Sequence, residues 1–218
     1  MIAYKVLRDG AIEPFSERRW PAPEGASPGE WLAVTGQLRP GDDALPAFRL
    51  RDLPYWINHE LWVAELGDEV AEFDRLVLAR RARLLRRVDA WDRRTALAFS
   101  EACAQRVRDY AAGVLRGAGL SDEANALERA PSLEAQRDAG IAASEAATAA
   151  GLADAATAAG YAADAAVFGL EPQPATVTFI GAHAAAIAAG EARAVEASHA
   201  ERAWQAGWLK ERLGLEDA

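Results

Sequence analysis

The run AGIAASEAATAAGLADAATAAGYAADAA, residues 139–166, narrows what this chain can fold into more than any other stretch. Alanine has the best intrinsic helix propensity and loses no side-chain rotamer entropy on ordering, so the run predicts helix before any tertiary contact is considered. A methyl group buries little apolar area, at about 25 cal/mol per Å² removed from water. Helices of this kind are therefore expected to hold together by close backbone approach and by a few larger residues near their ends. The alanine-dominated composition extends over residues 91–215 and predicts a set of packed helices there.

The remainder reads differently. Residues 1–89 predict a β-rich domain, residues 90–214 an alanine-rich antiparallel helical bundle and residues 215–218 a tail, an α+β organisation overall. In the first part, residues 1–7 alternate loosely in strand fashion, residues 31–35 are short and β-prone, and ELWVAEL at 60–66 is the clearest strand. Pro21, Pro23, Pro28, Gly29, Pro40, Gly41 and Pro46 mark loops between them, where helix is disfavoured. Gly67-Asp68 suits a turn leading to a partner strand over 75–79. Residues 76–88 fit a helix with Leu78, Ala82, Leu85 and Val88 on one face, or a continuing hairpin. The strand reading is favoured, because a lone hairpin is too small to be stable.

In the second part, Ala96, Phe99, Cys103, Val107, Tyr110 and Val114 recur at spacings of three and four, one face of a helix ending by Gly117. Ser121-Asp122-Glu123 opens a short helix, and Ser132 caps the next. The polar stripe of Glu134, Asp138, Glu145 and Thr148 is out of phase with that of Asp154, Thr157, Tyr161 and Asp164, which places a break near Gly151. LEPQP at 170–174 is a connector, a further alanine helix is expected from about 178 to 190, and a last one reaches Leu213 and stops at Gly214.

The 218 residues, 51% hydrophobic, suffice for a sizeable core. No segment approaches the roughly 20 bulky apolar residues of a membrane span, and the single cysteine, Cys103, fits a reducing compartment, so the expected location is cytoplasmic. Net charge is −9, and it is uneven: residues 1–110 carry 17 basic and 18 acidic groups, residues 111–218 only 7 and 15. The helical half is thus a poor match for nucleic acid and a fitting partner for a basic protein.

Chemistry-bearing constellations are sparse. The histidines His59, His183 and His199 lack ligand spacing, so no metal is implied, and no glycine-rich phosphate loop implies a nucleotide or other cofactor. Cys103 lies on the apolar face of its helix and reads as a small core side chain. The basic run Arg80, Arg81, Arg83, Arg86 and Arg87, extended by Arg93 and Arg94, could bind phosphates, but Glu69, Glu72, Asp74, Asp89 and Asp92 are close enough in sequence to pair with it. Salt bridging is the favoured reading there. Trp204 and Trp208, at i and i+4, share a helix face as core anchors or as a partner-binding pair.

One resemblance extends this reading. LAFSEACAQRV at 97–107, with its Cys-Ala-x-Arg-Val helix, and ERAWQAGWL at 201–209 resemble the opening and closing helices of an uncharacterised bacterial family labelled as immunity proteins, across roughly 91–213. Where that family has Asp and Glu around the cysteine this chain has Ala102 and Gln105, and the family's glycine-histidine pair appears as Gly160-Tyr161. The first half is similar to a small domain attached to such helices, in which a histidine- and cysteine-containing motif precedes DLPYW; here DLPYW stands at 52–56 but Leu45-Pro46-Ala47-Phe48 precedes it. The resemblance implies a non-catalytic protein that neutralises a toxin by binding it, with a toxin domain as the protein partner. Two other readings stay open: an enzyme or small-ligand binder using a cleft between the two parts, and self-association of alanine faces into a homodimer.

Overall fold

Among the described residues, seven strands followed by six long or medium helices make this an α+β protein, as the sequence predicts. The structure, a computed structural model, describes residues 1–14, 16–67, 69–171 and 173–217. Two compact units are present, residues 1–92 together with 206–218, and residues 93–205. No helix among the described residues is long and apolar enough to cross a membrane.

The first unit contains β1 (Ile2–Leu7), β2 (Leu32–Ala33), β3 (Leu45–Ala47), the single-turn helix α1 (Leu53–Trp56), β4 (Glu60–Leu66), β5 (Val70–Glu72), β6 (Val77–Ala79) and β7 (Arg81–Arg87). A four-stranded sheet runs in the order β1-β4-β7-β2 and a three-stranded sheet in the order β3-β6-β5, with antiparallel pairing throughout. ELWVAEL forms the inner strand β4, flanked by β1 and β7 and buried at every position but Glu65. Its pairing with β7 shifts register between Val63 and Ala64, where Leu85 is the extra residue. Ala3, Leu7, Trp62, Ala64, Ala82 and Leu84 from one sheet and Leu45, Ala47, Val77 and Ala79 from the other share one core with Trp20.

Within 76–88 the strand reading holds for β6 and β7, but the strand expected over 75–79 does not pair with 60–66: β6 pairs with β3 and β5, and β7 takes the place beside β4. The proline-marked loops hold more structure than the sequence suggests: Pro46 sits inside β3, and DLPYW supplies α1, with Pro54 in its first turn where a missing N–H leaves no bond unmade. The turn expected at Gly67-Asp68 falls partly on Asp68, which lies outside the described residues, as does Pro172 of the expected connector.

Several buried charges tie this unit together. Lys5 is 1% exposed, forms an ion pair with Glu13, donates to the Pro46 carbonyl at 2.7 Å and sits 4.7 Å from the centre of the Trp20 ring. Arg49 bonds Asp52, Glu72 and the carbonyls of Phe73 and Asp74, pinning the β5–β6 turn. At the chain end, the Tyr4 hydroxyl donates to the Glu216 carbonyl at 2.8 Å and accepts from its N–H at 3.0 Å.

The second unit holds α2 (Arg93–Gly117), α3 (Ser121–Glu128), α4 (Leu133–Ala149), α5 (Ala153–Leu170), α6 (Pro174–Ala189) and the first part of α7 (Ala194–Leu213), whose last turns, from Ala206, belong to the first unit. The apolar face read from Ala96, Phe99, Cys103 and Val107 is buried in α2. Ser132 caps α4 by accepting from the Ala135 N–H at 3.3 Å. The phase break near Gly151 is real: α4 ends at Ala149, α5 begins at Ala153, and Gly151 takes a φ of +73° that other residues rarely adopt. Helix α6 starts at Pro174, earlier than expected, because proline is well suited to the first turn of a helix.

Close approach of backbones is visible at Gly140. A Cβ there would lie 2.9 Å from the Ala163 nitrogen and 3.0 Å from the Ala159 oxygen, so α4 and α5 meet nearly main chain to main chain. Buried Gln136 adds a polar strut, donating to the Ala104 and Ala162 carbonyls at 3.1 and 3.0 Å and so joining α2, α4 and α5. Ser144 donates to the Ala156 carbonyl at 2.9 Å in the same role.

Candidate functional site on the helical unit

A buried polar constellation of the helical unit is centred on Glu201. This residue is 1% exposed on α7, and a carboxylate removed from water must be fully hydrogen-bonded. Its Oε2 accepts from Arg106 Nε at 2.8 Å and from the Tyr110 hydroxyl at 2.7 Å, while Arg106 Nη2 lies 2.7 Å away. Its Oε1 accepts from Gln205 Nε2 at 3.1 Å, and that amide also donates to the Thr178 carbonyl at 3.1 Å. The guanidinium of Arg106 lies 4.1 Å from the centre of the Trp204 ring, a cation–π contact.

Local helix geometry makes this arrangement. Arg106 and Tyr110 are one turn apart on α2, and Glu201 and Gln205 one turn apart on α7, so each pair presents side by side. Gly181 on α6 leaves the room they need: a Cβ there would stand 3.0 Å from Gln205 Nε2 and 3.3 Å from Glu201 Oε1. Burial together with the Glu201 hydrogen bond pushes the Tyr110 hydroxyl up to about 12. Burial works against the charge of Arg106, but its bonds to Glu201 hold that charge more firmly than usual. The four side chains Arg106, Glu201, Trp204 and Gln205 therefore form one cluster. Such a cluster ties α2 to α7.

Cys103, one turn before Arg106, is fully buried, and burial raises its thiol well above the ordinary range. A thiol held neutral is a poor nucleophile, in keeping with a core role.

Two open clefts draw on the C-terminal half of α6. The smaller, about 290 Å³, is lined by His183, Ala186, Val195, Ser198 and His199 among others. His183 packs against Phe179 with ring centres 4.1 Å apart and planes tilted by 39°, and meets Tyr161 edge-on at 6.3 Å. Phe179 is 55% exposed and Val195 70% exposed, so an aromatic and aliphatic patch faces solvent here. The larger cleft, about 510 Å³, lies against Asp109, Tyr110, Val114, Asp154 and Ile187. No group of three or more His, Cys, Asp or Glu side chains able to hold a metal occurs among the described residues.

The arginine run maps to the sheet unit and is largely spoken for. Arg80 pairs with Glu69 and reaches the Thr35 carbonyl, Arg83 pairs with Glu65 at 2.6 Å, and Arg87 lies 3.4 Å from buried Glu60. Arg81 and Arg83 both lie over the Trp31 ring, at 4.7 and 4.6 Å. Arg86 is exposed and its charge acts on the Tyr4 hydroxyl. The sequence points to Glu69 as a partner but misses Glu65 and Glu60, which β4 brings alongside β7; Glu72 and Asp74 are instead taken by Arg49 and Arg75. Trp204 is half-buried against Arg106, and Trp208, four residues on, is also half-buried.

Fold and site together define an α+β protein whose helical unit combines a rigid alanine-packed interior with an apolar patch on its surface. Comparison with known proteins gave no match to a family model, a curated protein or a solved structure.

Proposed function

We propose that this chain is a non-catalytic protein-binding module of the immunity type, which neutralises a toxin domain by direct association. The observation that carries the reading is the exposed patch of Phe179, the adjoining His183 and Val195 on a helical unit whose outward carboxylates are in excess. Exposed aromatic and aliphatic side chains grouped on rigid helices are typical anchors of protein interfaces. Glu134, Glu145, Asp154, Asp164, Glu171, Glu191 and Glu196 are all exposed, which favours a basic partner and speeds its approach. The sequence resemblance over residues 97–107 and 201–209 supports the same reading, and the cluster around Glu201 gives those motif residues a scaffold role.

The test is affinity capture from the native host, followed by reconstitution with the purified partner. The reading expects an effector domain to be retained and its activity to be lost at equimolar protein. Failure to retain any effector-domain protein, or retention without inhibition, overturns it.

A further inference from the structure

We propose that the cleft between α2 and the C-terminal end of α6 is a docking slot for one basic side chain of the protein partner; this rests on the protein-binding reading and adds where, and by what chemistry, that partner is gripped. Three independent features set the electrostatics. Asp109 on α2 and Asp154 in the first turn of α5 both line the cleft and are exposed. The final residues of α6, Ala188 and Ala189, line it as well, at the end of the helix where unpaired carbonyls concentrate negative potential. The lining residues include no basic side chain. Arg108 bonds Asp109 through Oδ1 at 2.8 and 2.9 Å and offsets part of its charge, so Asp154 supplies the larger share of the carboxylate field.

Shape agrees with charge. Val114 and Ile187 are half-buried apolar walls of the cleft, suited to the aliphatic stem of an arginine or lysine whose head meets the carboxylates. Gly113 and Gly117, one turn apart on α2, also line it, and a Cβ built on either would meet no atom within 4 Å. Neither has the positive φ that would call for glycine. Internal packing therefore does not require them, although glycine weakens a helix interior. Their effect is to keep the groove clear down to the backbone. At about 510 Å³ the space exceeds what a single arginine side chain fills, so the basic group enters together with part of the segment that carries it.

The experiment is a backbone amide NMR titration of the full chain with N-acetyl-arginine amide and, separately, with its neutral counterpart N-acetyl-citrulline amide. The proposal expects saturable shifts at the amides of Gly113, Gly117 and Gly190 with the arginine probe, and binding weaker by about two- to thirtyfold with citrulline, the effect of losing two exposed charge contacts. The double variant Asp109→Asn, Asp154→Asn should lose about tenfold in affinity, and Gly113→Leu, which fills the groove, should abolish the shifts. Equal response to both probes, no localised response, or an unaltered response in Gly113→Leu overturns the slot. Once a partner is in hand, Gly113→Leu and Asp154→Lys that bind it as wild type does would overturn the slot and leave the protein-binding reading standing. A wild-type chain that shifts with arginine but captures no partner would sink the reading and leave the slot.

Discussion

Arg106 and Glu201 are separated by 95 residues, yet the guanidinium reaches one carboxylate oxygen through two nitrogens at 2.8 and 2.7 Å. The pair joins the first helix of the bundle to the last. With Glu201 fully buried and Arg106 about one-third exposed, removing the acid leaves a charge and the Tyr110 hydroxyl poorly satisfied. Glu201→Ala should lower unfolding free energy by about 3 kcal/mol, and Glu201→Gln by less, because an amide still accepts from Tyr110. Urea unfolding followed by circular dichroism measures both. A loss within error for Glu201→Ala would remove this cluster from the list of what holds the helices.

How far such features were legible in the sequence depended on their range. The strand 60–66 and the helix ending at Gly117 follow from local pattern, which is what a strand or a long amphipathic helix mostly needs. The break at Gly151 was readable because two polar stripes could not share one helix face. The burial of Glu201 was not readable: nothing beside it in sequence distinguishes it from the exposed Glu196, and its partners Arg106 and Tyr110 come from α2, far away in sequence. Likewise β3 contains Pro46, a residue that argues against strand unless the position needs no N–H in the ladder. The arginine partners Glu60 and Glu65 became visible only with the register of β4 against β7.

Tyr110 reports on the same cluster through pH. Its hydroxyl is raised from 10.0 to about 12 by burial and by the Glu201 carboxylate. Below pH 10 the folded and unfolded chains both keep the proton. Between 10 and 12 the unfolded chain releases it first, so the stability contribution is full below 10 and is lost as pH rises through 12. Phenolate absorbance of Tyr110, isolated by difference against Tyr110→Phe, should therefore appear about two units later than that of a free tyrosine. In Glu201→Gln the midpoint should move down. A Tyr110 midpoint near 10 in the wild-type protein would contradict the geometry.

Glycine substitutions separate packing from propensity. At Gly140 a Cβ collides with main-chain atoms of Ala159 and Ala163, which cannot move without parting α4 from α5. At Gly113 the same atom meets nothing. Gly140→Ala should destabilise by about 1–3 kcal/mol, while Gly113→Ala should stabilise by up to about 1 kcal/mol through helix propensity alone. Thermal or urea unfolding distinguishes them by sign. Two changes of the same sign would show that the close approach at Gly140 is not rigid.

The buried Lys5–Glu13 pair of the sheet unit allows the sharpest test of whether charge or packing stabilises that core. Breaking the pair leaves Glu13 in a site where it is 4% exposed, so Lys5→Met alone should cost about 3 kcal/mol or more. Replacing both, as Lys5→Met with Glu13→Leu, removes two desolvated charges at once and should restore stability to the wild-type level or beyond it. The pH dependence has a fixed sign. Burial lowers the Lys5 ammonium from 10.5 to about 8, against the opposing pull of Glu13. Below pH 8 both states are protonated and the penalty is complete; between 8 and 10.5 the unfolded chain alone holds the proton, so deprotonation of the folded state raises stability with pH. The difference in unfolding free energy between wild type and the double variant should thus shift in favour of wild type across that interval. Tyrosine and arginine contributions are common to both proteins and cancel. Urea titrations at either end of the interval measure the change, and a wild type that loses ground to the double variant as pH rises would show that Glu13, not burial, governs the ammonium.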